Sequence, residues 1–109
     1  MTYRSFETLN DDLQRGLVAI DDVVIELADQ DRESDIVTLL AARARLDREA
    51  AANALGADTD APVGLVCRAA GVRLNGYSAI LRMRHRRGQG ERASPSALLR
   101  AYQQALEQA

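Results

Sequence analysis

An all-α fold of six or seven short helices follows from three observations on this sequence. Apolar residues recur at spacings of three and four along most of the chain. No run alternates with period two for long enough to make a strand. Capping residues and glycines divide the chain into segments of helical length, joined by roughly two to six residues.

The first helix carries Phe6, Leu9, Leu13 and Leu17 on one face. Gly16 and the Asp21-Asp22 pair then predict a break, after which Ile20, Val24 and Leu27 form the stripe of a second helix. A third is expected to start at Ser34 as N-cap, with Asp35 favoured by the dipole in the first turn. It presents Ile36, Leu39 and Leu40 and ends near Arg43 and Arg45, cations suited to a C-terminus. Asp47 caps an alanine-rich helix (Ala50, Ala51, Ala54, Leu55), with Leu46 placed to staple onto Ala51 and Gly56 as a left-handed C-cap. Asp60 caps a fifth helix with Pro62 in its first turn, where the missing N–H costs nothing. Its inward face is Val63, Val66, Cys67 and Ala70, and Gly71 ends it. A sixth begins near Asn75 and runs through Tyr77, Ile80, Leu81 and Arg84. Gly88-Gln89-Gly90-Glu91 reads as the core of a flexible linker over residues 88–93. Ser94-Pro95 opens a last helix, 94–108, with the stripe Leu98, Leu99, Tyr102 and Leu106. Each helix is too short and one-sided to stand alone, so the expectation is a single domain, 1–109, packed as helix pairs, HEAT-like or as a bundle.

Composition bounds the function classes. Leu, Val, Ile and Phe make up 26 of 109 residues, above the roughly one-fifth at which a charged chain stays disordered. The single Cys67 forbids an intramolecular disulfide, and with the single His85 it excludes a zinc site built from several Cys and His. The longest apolar runs are about four residues where a membrane span needs about twenty. A cytoplasmic chain without membrane contact is the expectation.

The formal net charge of −2 conceals an asymmetry. Residues 1–60 hold fourteen acids and six arginines, a net of −8; residues 61–109 hold two acids and eight arginines, a net of +6. Every cation is arginine. Two explanations stand side by side: an anionic partner for the basic half, or neutralisation of the halves within one fold or across a dimer.

Groups for catalysis are few. His85 lies among Arg82, Arg84, Arg86 and Arg87, as a solvated helix-end residue, and Cys67 falls on an apolar face beside Val66 and Ala70. The pairs Asp11-Asp12 and Asp21-Asp22 diverge by about 100° on a helix and do not converge on one ion. The run Asp29, Asp31, Glu33, Asp35 lacks the glycine and terminal glutamate of a calcium loop. There is no phosphate-binding glycine loop and no nucleophile elbow. No enzymatic activity, metal, cofactor or small-molecule substrate is expected.

Residues 61–87 have the outline of a helix-turn-helix. Cys67 is small where two helices would cross, Gly71 follows at the turn, and Val72 plugs it. Arg73, Asn75, Gly76 and Ser78 would then open a recognition helix, with Arg82, Arg84, Arg86 and Arg87 on phosphates. Five arginines between 82 and 92 give the local positive field such binding uses. Against it stand an acidic chain (pI about 5.3) and Leu74 and Gly76, poor base readers.

Two stretches carry a resemblance. Asp31-Arg32-Glu33-Ser34-Asp35-Ile36-Val37 through Asn53-Ala54-Leu55, and Leu65-Val66-Cys67-Arg68-Ala69-Ala70-Gly71-Val72 through Tyr77-Ser78-Ala79-Ile80-Leu81-Arg82, resemble an uncharacterised all-helical family of alphaproteobacteria. That family is a domain of unknown function with HEAT-like helix pairs. The similarity spans roughly residues 20–87 and corresponds to the C-terminal part of longer members. It implies stacked helix pairs, with no activity and no site residues to carry over. The chain is then a small stand-alone version or a piece of a longer protein, whose first helix would gain a neighbour by dimerising.

The resulting expectation is a helical module for protein–protein interaction or self-association, binding a protein partner or a second copy. The alternative is a nucleic-acid-binding regulator. Arg73, Asn75, Arg82, Arg84, Arg86 and Arg87 are the candidate surface for either.

Overall fold

A computed structural model describes residues 4–90 and 95–108. The described residues form seven helices and no strand: α1 (Phe6–Gln14), α2 (Ile20–Asp29), α3 (Glu33–Ala44), α4 (Arg48–Leu55), α5 (Ala61–Ala70), α6 (Leu74–Arg86) and α7 (Pro95–Glu107). The break after Gly16 separates α1 from α2 as its sequence predicts. Ser94, expected to open the last helix, and residues 91–93 of the expected linker lie outside the described residues.

Five helices end in the same way. After α1, α2, α3, α5 and α6 the chain passes through a residue with positive φ: Gly16, Asp31, Arg45, Gly71 and Gly88. In each case the next N–H reaches back five residues, as from Leu17 to Asp12 O or from Val72 to Cys67 O, both at 2.9 Å. This closure satisfies helix-end carbonyls that would otherwise lack partners. Gly88 and Gln89, the first two residues of the expected linker, are therefore folded onto the end of α6: Gln89 N donates to Arg84 O at 2.8 Å.

Two expected end signals differ. Gly56 keeps φ −92° and is no left-handed cap, because the free carbonyls at the end of α4 are met by a side chain from α6, described below. Leu46 remains exposed rather than stapled over the buried Ala51. The third helix starts one residue before its expected cap, with Ser34 already inside it, since the left-handed Asp31 turns the chain sharply into Arg32.

The core gathers one stripe from each of α2 to α6. Val24, Leu27, Ile36, Leu40, Leu55, Val63 and Ile80 are all fully buried, and the inward face predicted for α5 is buried throughout. The most extensive packing joins α2 to α6, which lie far apart in sequence; α3 packs on α4 and α5. A stack of helix pairs has contacts between chain neighbours alone. Here the α2–α6 contact closes the chain into a bundle, and a radius of gyration of 13.1 Å matches the ~13 Å of a globular chain of about 100 residues.

Candidate functional site

The sequence-derived candidates all cluster on or beside α6, yet the structure gives them different tasks. Gly71 turns the chain and Val72 is buried under the turn, as a helix-turn-helix requires. Each helix of that hairpin takes most of its packing from elsewhere, however. α5 takes its main packing from α3 and α4, and α6 from α2 and α7. Within α6 only Asn75, Arg82, His85 and Arg86 are exposed.

Arg84 is the clearest departure from expectation. Placed by sequence on a phosphate-facing surface, it is fully buried. Its Nε donates to Asp60 Oδ1 at 3.1 Å, its Nη1 to Leu55 O, and its Nη2 to Ala57 O at 2.8 Å and Thr59 O at 3.1 Å. The guanidinium thereby caps α4 and pins the 56–60 loop from another helix, with the cation where the α4 dipole favours it. Arginine's planar fork of donors suits this task, whereas a lysine ammonium would act as a point charge. Asp60, expected as an N-cap, spends its carboxylate on Arg84 instead.

Arg86 and Arg87 reach across the surface to the α2–α3 turn. Arg86 Nη2 donates to Ala28 O at 2.7 Å and Asp31 Oδ1 at 3.1 Å; Arg87 pairs with Glu33 and reaches Asp31 O at 3.3 Å. Together they hold Asp31 in its left-handed conformation. The Arg84–Asp60, Arg86–Asp31 and Arg87–Glu33 pairs each join the basic half of the chain to the acidic half. Internal neutralisation accounts for the arginines that looked most available to a partner.

Arg82 stays on the surface and donates to Ser78 Oγ at 2.9 Å. Arg73 and Asn75 are exposed at the other end of α6, roughly 16 to 20 Å from Arg86 along the axis. They border a shallow cavity of about 470 Å³ with Ile20, Asp21 and Gln103. Asp21 dominates that end. Its two carboxylate oxygens accept Arg73 N and Gly76 N at 2.7 Å each, so α2 supplies the N-cap that Arg73 cannot. A carboxylate already lies where a helix N-terminus would hold a phosphate. The six candidates therefore do not make one surface.

His85 is exposed in the last turn of α6. Cys67 is buried, which pushes its thiol up to about 12, with the Asp21 charge adding to the effect. Among the described residues no group of three or more His, Cys, Asp or Glu could hold a metal ion, and no helix is long and apolar enough to cross a membrane.

A feature missed by the sequence reading lies between α5 and α7. Tyr77 of α6 and Tyr102 of α7 stack with ring centroids 4.0 Å apart, and Tyr102 donates its hydroxyl to Val72 O at 2.6 Å. Burial raises the Tyr102 phenol above its ordinary value, which keeps it a donor. Above the rings runs an open groove of about 380 Å³ bordered by Gly64, Leu65, Leu98, Ala101 and Ala105. Leu65 is 65% exposed on its rim. The signal for it was Leu65 itself, a leucine off the inward stripe of α5. No protein-family model, curated protein or solved structure matches the chain.

Proposed function

We propose that this chain is a helical protein-interaction module that docks a partner in the α5–α7 groove. The observation that carries the reading is Leu65, 65% exposed beside a concave apolar surface floored by two stacked tyrosines. A single surface leucine is ordinary; its place on the edge of an apolar cleft is what supports reading the cleft as a docking surface. An enzyme reading is short of groups, since the thiol is buried and the lone histidine stands in solvent. A nucleic-acid reading loses Arg84 to the interior and meets the Asp21 carboxylate at the start of α6. Kinship with the uncharacterised helical family belongs to the same proposal and rests on Leu65 to Val72 and Tyr77 to Arg82.

The test is to immobilise wild-type and Leu65→Asp protein side by side and compare what each retains from a bacterial lysate. Circular dichroism confirms that both are folded. A protein held at least tenfold better by the wild type supports the reading. Identical retention by the two would remove it.

A further inference from the structure

We infer that the occupant of the groove is a short amphipathic helix from another protein, with acidic side chains flanking its apolar face; this deepens the interaction reading above. Four observations favour that partner. The first is shape. On α5 the groove is bordered by Ala61, Gly64, Leu65 and Arg68, spaced i, i+3, i+4, i+7. On α7 it is bordered by Leu98, Ala101, Tyr102 and Ala105 at the same spacing. Half of the residues in these two helical stripes are alanine or glycine, which lets a third helix approach closely, as in helix-in-groove recognition.

The second is size. About 380 Å³ accommodates a few anchoring side chains, and ten residues line the groove. A stable interface between two copies takes roughly 20–30 residues a side. The groove is too small to be the whole of such an interface.

The third is charge. Asp60 lines the groove but is fully buried and bonded to Arg84. Arg68 is exposed on the rim, with no acidic partner among the described residues. The charge offered to an incoming helix is positive.

The fourth is Gly64. It lies inside α5, where glycine weakens a helix relative to alanine. A Cβ there would come no closer than 3.7 Å to any neighbour, the Tyr77 hydroxyl. Nothing among the described residues requires the glycine, and its missing side chain gives the groove its depth.

The experiment uses two fluorescein-labelled 16-residue helical peptides sharing one leucine face, flanked by glutamates in one and lysines in the other. Fluorescence anisotropy measures each against the full chain. The expected result is at least tenfold tighter binding of the glutamate peptide, reversal of that preference in Arg68→Glu, and loss of binding in Gly64→Leu. Equal affinity for both peptides, or no reversal in Arg68→Glu, overturns the assignment. The peptide comparison on the wild type needs no variant, so a Gly64→Leu protein that fails to fold leaves the test intact. If neither peptide binds while lysate capture still depends on Leu65, the helix class falls and the interaction reading survives. A concentration-dependent dimer in light scattering that Leu65→Asp abolishes makes a second copy the occupant and also overturns the inference.

Discussion

Asp21 and Gly76 are 55 residues apart in sequence and in hydrogen-bond contact, the carboxylate of one accepting the backbone N–H of the other at 2.7 Å. The same carboxylate takes Arg73 N, so the first turn of α6 is capped by α2. The approach is close enough that a Cβ on residue 76 would lie 3.1 Å from Asp21 and 2.7 Å from Val72 Cγ1. Asp21→Ala removes both cap bonds and is expected to lower unfolding free energy by about 1–2 kcal/mol. Asp21→Asn, with one acceptor oxygen left, falls between. Urea denaturation of the three proteins measures the order; an Asp21→Ala protein as stable as the wild type would show that the cap carries no weight.

Arg84 tests a different kind of contact. Arg84→Met keeps the apolar stem but removes the guanidinium, which leaves the Asp60 charge buried and the carbonyls of Leu55, Ala57 and Thr59 without their donor. Breaking a buried pair from one side costs about 3–5 kcal/mol. Set against the roughly 5–15 kcal/mol of a typical domain, that loss leaves a marginal fold. Arg84→Lys retains the charge yet cannot reach all four acceptors, and is expected to destabilise as well, by less. Equilibrium unfolding that places lysine level with arginine would reject the fork geometry as the cause.

Among the described residues, two left-handed residues that are not glycine make a matched pair. Arg45 sits at the end of α3 with φ 58° and is exposed. Arg45→Gly relieves the strain of a side chain in that region and is expected to stabilise by about 0.5 kcal/mol, after some loss of charge at the helix end. Asp31 has φ 54°, but Arg86 and Arg87 hold its carboxylate and carbonyl. Asp31→Gly trades strain against those bonds and should be close to neutral. Thermal unfolding of the two variants separates the cases.

Cys67 predicts the alkaline side of the stability profile. The folded chain holds its proton up to about 12, while an unfolded thiol ionises near 9. Below pH 9 both states carry the proton and stability is unaffected. Between 9 and about 12 the unfolded state gives it up first, so stability falls as pH rises. Tyr102 acts in the same direction at higher pH. Cys67→Ala should show a shallower decline than the wild type. At pH 8 the native thiol should react with iodoacetamide only at the rate at which the chain opens.

Local signals in the sequence were legible and distant ones were not. Gly16 and Gly71 announce their turns because a glycine at a helix end needs no partner elsewhere in the chain. Asp31 and Arg45 adopt the same backbone without the residue type that advertises it. Gly56 sends that signal falsely, because Arg84 of α6 does the capping. Gly88 and Gly90 look like a linker by composition; the first closes α6, and the second lies against the Asp60 carboxylate. The charge split was plain in the sequence, but its use within the chain depends on which helix ends meet, and that follows from the α2–α6 packing. The α5–α7 groove was invisible for the same reason, apart from Leu65.

The 56–60 loop, Gly-Ala-Asp-Thr-Asp, has the small polar composition that proteases cut readily. Its carbonyls are held by a guanidinium whose release requires α6 to leave the core. The loop cannot fray by itself. Nicking there, and amide exchange at Ala57, should keep pace with unfolding of the whole molecule, so a segment that looks like the weakest point in the chain reports on the strongest part of the structure.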